Sequence, residues 1–309
     1  MRIVNLVENT DCGNGCGAEH GLSFYIETKR HRILMDTGAS DLFLKNAGQL
    51  GIDLTKVDIL VLSHGHFDHG GGILSFAKIN SHAKIYAQDA AFNGFYKDEG
   101  DHYRYIGLDP AIAGLPQLVR VKGNLEIDEE LSLFSGTGTE RIMPLTNKLL
   151  KKKVGEDYPE DDFAHEQCLA IRQEGKLLVF SGCAHHGILN VLDRCREVYG
   201  RVPDMVFSGF HTMRKNGYTK EDADILLAMA RELKKYPTVF YTGHCTGEKP
   251  YRVLKKLLGK QIHYVHSGQE VIIRLSSDRK AAYMKWHKAF AWATVACFIL
   301  TMVTGYQRK

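Results

Sequence analysis

Apolar positions along this chain follow two rhythms. Short aliphatic and β-branched runs, bounded by glycine and polar residues, predict strands at 3–7, 22–27, 32–35, 57–62, 84–87, 118–121, 131–134, 168–172, 177–180, 205–207, 239–241, 262–265 and 271–275. Between them, apolar residues recurring at helical spacing predict helices over 41–50, 72–79, 188–199, 220–236 and 249–258. The fourth helix is the clearest. Leu226, Met229, Ala230 and Leu233 form one stripe, and Thr219 with Asp222 matches a capping-box start. Strands come first, then strand–helix units, then a second set of the same kind. That order predicts an α/β fold with two sheets face to face and helices outside. The stretch 90–165 breaks the rhythm. It is polar and rich in Tyr, Asp and Glu, and is expected to be an insertion or lid on a domain spanning 1–275.

The end of the chain has a different pattern. Residues 289–306 form an uncharged run of eighteen, flanked by Lys285 and Lys288 on one side and Arg308 and Lys309 on the other. As a helix it would be about 27 Å long, enough for a hydrocarbon core. Thr294, Thr301 and Thr304 give it little polar face for packing on a body. The expectation is a basic linker from 276 and a C-terminal hydrophobic transmembrane helix anchoring the protein to a membrane. Small residues at 289, 293, 297, 301 and 305 would let two such tails pack as a homodimer. The N-terminus lacks the apolar run of a signal peptide, and seven cysteines form no regular framework. Both point to a cytoplasmic catalytic domain, tethered to the inner membrane face.

Charge narrows the partners. There are 40 basic and 36 acidic residues, but six of the basic ones lie in 279–309 beside no acid, leaving 34 against 36 for the body. No global excess favours nucleic acid, so a small-molecule substrate is expected. Composition is otherwise ordinary, with 44% hydrophobic and 25% charged residues. Histidine stands out at 15 residues, and its placement decides the chemistry.

The predicted strand 57–62 runs into Ser63-His64-Gly65-His66-Phe67-Asp68-His69-Gly70-Gly71-Gly72. Three imidazoles and a carboxylate within six residues of a strand end suit two ion positions: His64 and His66 for one, Asp68 and His69 for the other. Imidazole with carboxylate is the donor mix of zinc, iron or manganese sites. The glycines permit unusual backbone angles beside it.

His-x-His-x-Asp-His after an apolar strand resembles the metallo-β-lactamase superfamily. The resemblance implies a four-layer αββα sandwich with a metal site at the strand ends. It matches Met35-Asp36-Thr37-Gly38 to an Asp-x-Gly turn in which Asp36 orients the metal loop. It makes His185, in Phe180-Ser181-Gly182-Cys183-Ala184-His185-His186-Gly187, the third ligand of the first ion, with His186 as neighbouring rival. His244, in Tyr241-Thr242-Gly243-His244-Cys245-Thr246-Gly247, falls to the second ion. One element departs. The superfamily usually supplies a bridging Asp from the strand between these two, but Val206-Phe207-Ser208-Gly209-Phe210-His211 ends without a carboxylate and Asp204 sits at the strand's start. His211 is therefore expected to bind metal or substrate, and the second ion to be the less secure.

Further runs narrow the resemblance: Glu8-Asn9-Thr10, Ala18-Glu19-His20-Gly21-Leu22-Ser23, Phe163-Ala164-His165-Glu166-Gln167 and Ser208-Gly209-Phe210-His211. They are similar to a subgroup containing the archaeal-type dihydropterin–ribofuranosylaminobenzene-phosphate synthase. The likeness covers about 1–275. His20 and His165, each beside a glutamate, join His211 as substrate candidates. Cys183 and Cys245 are expected to be small buried cysteines.

The resulting expectation is a metal-dependent hydrolase using metal-activated water on a small-molecule ester, lactone or phosphoester. The ligands are His64, His66, Asp68, His69, His185 and His244. One or two Zn2+ are expected, with Mn2+, Fe2+ or Mg2+ as other cations. Asp68 holds the water and passes a proton on; His211 or His165 stabilises the oxyanion. The alternative is a transferase of the synthase type releasing diphosphate, for which Lys148 and Lys151–Lys153 offer positive charge. A ligand-binding module without chemistry is disfavoured by the nearly complete ligand set. An oxygen-reducing flavin partnership is weakened because no Rossmann glycine fingerprint is present.

Overall fold

The computed structural model describes residues 1–214 and 217–274. Its strands are β1 (Arg2–Val7), β2 (Ser23–Glu27), β3 (Arg32–Met35), β4 (Ile59–Val61), β5 (Lys84–Gln88), β6 (Phe95–Asp98), β7 (Tyr103–Tyr105), β8 (Leu118–Val121) and β9 (Leu125–Glu126). They continue with β10 (Leu131–Phe134), β11 (Leu150–Lys152), β12 (Cys168–Gln173), β13 (Lys176–Ser181), β14 (Met205–Ser208), β15 (Val239–Thr242), β16 (Ile262–Tyr264) and β17 (Glu270–Ile272). The helices are α1 (Leu42–Gln49), α2 (Phe67–Gly70), α3 (Ile73–Ile79), α4 (Ile188–Tyr199), α5 (Lys220–Leu233) and α6 (Glu248–Leu258).

Two sheets carry the body, in the orders β17-β1-β2-β3-β4-β5-β8 and β16-β15-β14-β13-β12-β10-β9. Their strands alternate between two buried environments, which is why they read as continuous apolar runs. On β4, Ile59 and Val61 face the opposing sheet while Leu60 faces the helices. On β13, Leu178 and Phe180 face between the sheets, and Leu177 and Val179 face outward. Helices α1 and α3 cover the first sheet through Phe43, Ala47, Ile73 and Phe76. Helices α4, α5 and α6 cover the second through Ile188, Leu192, Leu226, Leu233 and Leu254. The layers are thus αββα, as expected. The Thr219–Asp222 capping box is present on α5, which stops at Leu233, shortly before Pro237.

The stretch 90–165 is more ordered than its sequence rhythm suggests. Strands β8, β9 and β10 belong to the two main sheets, while β11-β6-β7 form a small separate sheet over Phe95, Ile106, Leu150 and Phe163. The linker from 276 and the C-terminal helix over 289–306 lie outside the described residues. Among the described residues no helix is long and apolar enough to cross a membrane.

Strands β3-β4-β5-β8 and β13-β14-β15-β16 run parallel within their sheets. Their carboxyl ends deliver loops to a shared edge, where ligand sites form in such sheets.

Candidate metal centre

At the end of β4 the chain turns through Ser63, His64 and Gly65 into the single-turn helix α2, which raises Asp68 and His69. A Cβ on Gly65 would stand 2.4 Å from the Ala91 carbonyl oxygen, so the loop needs glycine there. The loop is held by Asp36, at the end of β3. One Asp36 oxygen accepts the Ser63 amide at 2.7 Å; the other accepts Ser63 Oγ at 2.7 Å and faces His69 Nδ1 at 2.7 Å. Asp36, Ser63, His64 and His69 are wholly buried.

Four imidazoles have one ring nitrogen tied back and the other aimed inward. Ser63 Oγ spends its proton on Asp36, so His64 Nδ1, 2.8 Å away, is the donor and Nε2 carries the lone pair. His69 Nδ1 is tied to Asp36. His185 Nδ1 lies 3.3 Å from Asn147 Oδ1, and His244 Nδ1 lies 2.9 Å from Asn9 Oδ1. This fixes the tautomer in the manner usual for metal-binding histidines. The free nitrogens meet in pairs: His64 Nε2 to His185 Nε2 at 3.3 Å, and His69 Nε2 to His244 Nε2 at 3.2 Å. Two nitrogens on one tetrahedral zinc are about 3.35 Å apart, so both pairs have the span of a coordination edge. His66 packs against His64 and His185, with ring centroids at 4.6 and 5.0 Å. Its Nε2 is buried without a hydrogen-bond partner, a cost that a bound cation would remove. Asp68 Oδ2 stands 3.4 Å from His244 Nε2 and 3.3 Å from His20 Nε2.

The donors therefore form two sets: His64, His66 and His185, here the deep set, and Asp68, His69 and His244, the outer set, which includes the partly exposed carboxylate and borders half-exposed His20. His186, the rival of His185, turns away. Its Nδ1 pairs at 2.7 Å with the buried carboxylate of Glu166, whose two oxygens also accept the His185 and His186 amides. Glu8 plays the corresponding part for the other loop, accepting the His244 amide and Tyr264 Oη. His165 lies buried beside His66, with its Nδ1 accepting the Gly65 amide at 2.8 Å and its Nε2 on Asp161 at 3.0 Å, so both nitrogens are engaged. His211 packs tilted against His185 with ring centroids 4.3 Å apart, and its buried Nδ1 has no hydrogen-bond partner. Asn9, Asn147, Glu166 and Asp161 went unremarked as site residues. Asn9 and Glu166 stood inside runs that carry the resemblance and Asp161 lies four residues before His165, but Asn147 carried no local signal.

Non-glycine residues with positive φ concentrate here: Asp36, Phe163, Ala184, His211 and His244. Strain of this kind costs of order 1–3 kcal/mol per residue and marks sites whose side chains are aimed by their surroundings.

Electrostatics divides the two sets. Burial, reinforced by neighbouring imidazoles, pushes His64 and His185 far below the ordinary histidine value and His66 to about 3. His69 is different. Burial opposes its charge too, but the Asp36 carboxylate outweighs that and raises it to about 9.

The sequence profile of the metallo-beta-lactamase superfamily matches residues 16–147. The chain is 28% identical over 278 residues to the 7,8-dihydropterin-6-methyl-4-(beta-D-ribofuranosyl)-aminobenzene-5'-phosphate synthase of Methanocaldococcus jannaschii, covering 82% of this chain and 89% of that protein. The crystal structure of Tm1679, a metal-dependent hydrolase of the beta-lactamase superfamily, superposes with a TM-score of 0.75 at 28% identity, over 88% of this chain and 99% of that one. The metallo-beta-lactamase fold protein YhfI from Bacillus subtilis shares the fold at 14% identity, with a TM-score of 0.52 over 87% and 98% of the two chains. With the αββα layers and the His-x-His-x-Asp-His loop at the end of β4 in hand, residues 16–147 carry the sequence profile of the metallo-β-lactamase superfamily and the described residues resemble it in fold.

Proposed function

We propose that this chain is a metal-dependent hydrolase of a small-molecule ester, lactone or phosphoester. The observation that carries the reading is the pair of Nε2–Nε2 spans at 3.3 and 3.2 Å, each flanked by a tied-back Nδ1. His64, His66 and His185 would hold a first cation; Asp68, His69 and His244 would hold a second. Zinc suits the donors best, with manganese or iron next. A bound cation of this kind supplies an acidified water and polarises a substrate oxygen.

The chain's own groups do the rest. Asp68 Oδ2 takes and returns a proton at the mouth of the site, where it is partly accessible beside His20. His211 Nδ1 faces a developing oxyanion, which gives that unpartnered atom a partner. His165 positions the loop through Gly65 rather than meeting substrate. His20 contacts substrate from the rim.

A second reading is supported by the synthase relative, which matches across most of both chains. In it the same centre serves a transferase that releases diphosphate, and the lysines at 148 and 151–153 assist the leaving group. Incubating metal-loaded protein with ester, lactone and phosphoester panels tests the first reading, and Asp68→Asn should silence any activity found. Diphosphate release that needs paired pterin and arylamine substrates, with no hydrolysis of the panels, would replace the first reading by the second.

A further inference from the structure

The carboxylate that the resemblance leads one to expect between the two cation positions is missing from the end of β14. Strand β14 ends in Ser208 and Gly209, with no acid. Asp204, before its start, is spent on Lys176, Arg201 and the Leu177 amide. On the neighbouring strand β13, however, the chain leaves Ser181 through Gly182 into Cys183. A Cβ on Gly182 would come within 2.2 Å of Ser63 Oγ, so this strand end presses directly on the metal loop. Cys183 is buried, and its Sγ lies 3.2 Å from His69 Nε2. The donor atoms of His64, Cys183 and His185 all fall within 4.8 Å of one another, and so do those of His69, Cys183 and His244. One sulfur thus belongs to both sets.

We infer that Cys183 Sγ is a ligand shared by the two cation positions, in place of the missing carboxylate. The inference rests on the reading of the imidazole sets as a metal centre. Zinc–thiolate and zinc–imidazole bonds of about 2.3 and 2.05 Å put sulfur and nitrogen about 3.5 Å apart on a tetrahedron, close to the spacing found. Coordination forms a sulfur–metal bond and breaks the S–H bond. The proton leaves to solvent and no oxidation state changes. A thiolate between the positions favours borderline or soft cations such as zinc over magnesium. Cys245 serves as the internal comparison. Its Sγ accepts the His211 amide at 3.3 Å, and its S–H is directed to the Cys183 carbonyl at 3.8 Å. It groups with Cys183 and His211 rather than with either imidazole pair.

The test is cobalt(II) loading of the full chain, read by metal analysis and near-ultraviolet absorption. The wild type is expected to bind about two equivalents and show an intense thiolate-to-cobalt charge-transfer band. Cys183→Ser should lose the band and fall to about one equivalent, while Cys245→Ser keeps both. Cys183→Asp should recover the second equivalent without the band, which also shows that the fold survives change at this position. Cobalt bound with no band in the wild type, or a band that persists in C183S, overturns the inference and leaves the metal centre standing. Absence of any stoichiometric cobalt would instead overturn the reading of the centre itself.

Discussion

The two donor sets lie side by side yet are built on opposite electrostatic plans. The deep set is three buried imidazoles without a carboxylate. Burial and mutual repulsion keep all three neutral, with His66 held down at about 3. The outer set contains Asp68, and its His69 carries Asp36 behind it, which pushes it up to about 9. The three deep imidazoles are therefore ready to bind a cation at any moderate pH. The outer set has to give up a proton first. Neutral imidazoles alone, and imidazoles backed or joined by carboxylates, are two solutions to the same ligand problem, and the difference assigns them different sensitivities.

The strongest way to break the comparison is to remove a deep ligand. His64→Ala should cost the first cation outright and lower turnover by on the order of 1,000-fold or more, checked by metal analysis and rate together. Asp36→Asn acts on the other side. It removes the charge behind His69 and loosens the Ser63 amide, and should weaken the outer position by about 10–100-fold in a chelator competition, with less effect on the deep one.

Acidity should separate the positions once Asp replaces Cys183, whose thiol proton is otherwise lost on coordination. Below about pH 9 the metal-free His69 holds a proton that the metal-bound form lacks. Cation affinity at the outer position should thus fall roughly tenfold per pH unit as pH drops from 9 toward 7. In Cys183→Asp, which has no thiol proton to lose, the deep position should stay flat over that range. Calorimetry of Cys183→Asp in buffers of different ionisation heat should find about one proton released on filling the outer position and none on filling the deep one. Equal release at both would remove the distinction. The smallest effects belong to the amides: Asn147→Ala should weaken the deep position and Asn9→Ala the outer one, each by about tenfold, read by the same competition.

Much of this was legible because the chemistry is concentrated. His64, His66, Asp68 and His69 fall within one turn after a strand, and Asp36, His185 and His244 each follow a β-rich run. What escaped did so for physical reasons. Asn9 and Asn147 are single loop amides whose role exists only once a distant imidazole meets them. The small sheet β11-β6-β7 rests on four dispersed apolar residues and otherwise shows solvent-facing side chains, so period-two reading had little to hold. His165 had the company of a substrate residue, yet Asp161 and the Gly65 amide occupy both its nitrogens. Cys183 read as a small core residue, since a strand-end cysteine reveals nothing of which face of a second sheet it meets.

The anchor of the outer set has a consequence for biosynthesis. The His244 amide rests on Glu8, whose carboxylate also receives Tyr264 from the far end of the chain. The deep set needs nothing beyond residue 185 and the Asn147 and Glu166 that brace it. A chain emerging from the ribosome therefore has its deep donors available well before the outer ones, and Glu8 after the first strand waits for Tyr264 on β16 to complete the clamp on the loop. Stalled nascent chains released after residue 200 should capture one cation weakly and none at the outer position. Capture of two would show that the loop around His244 is dispensable to assembly.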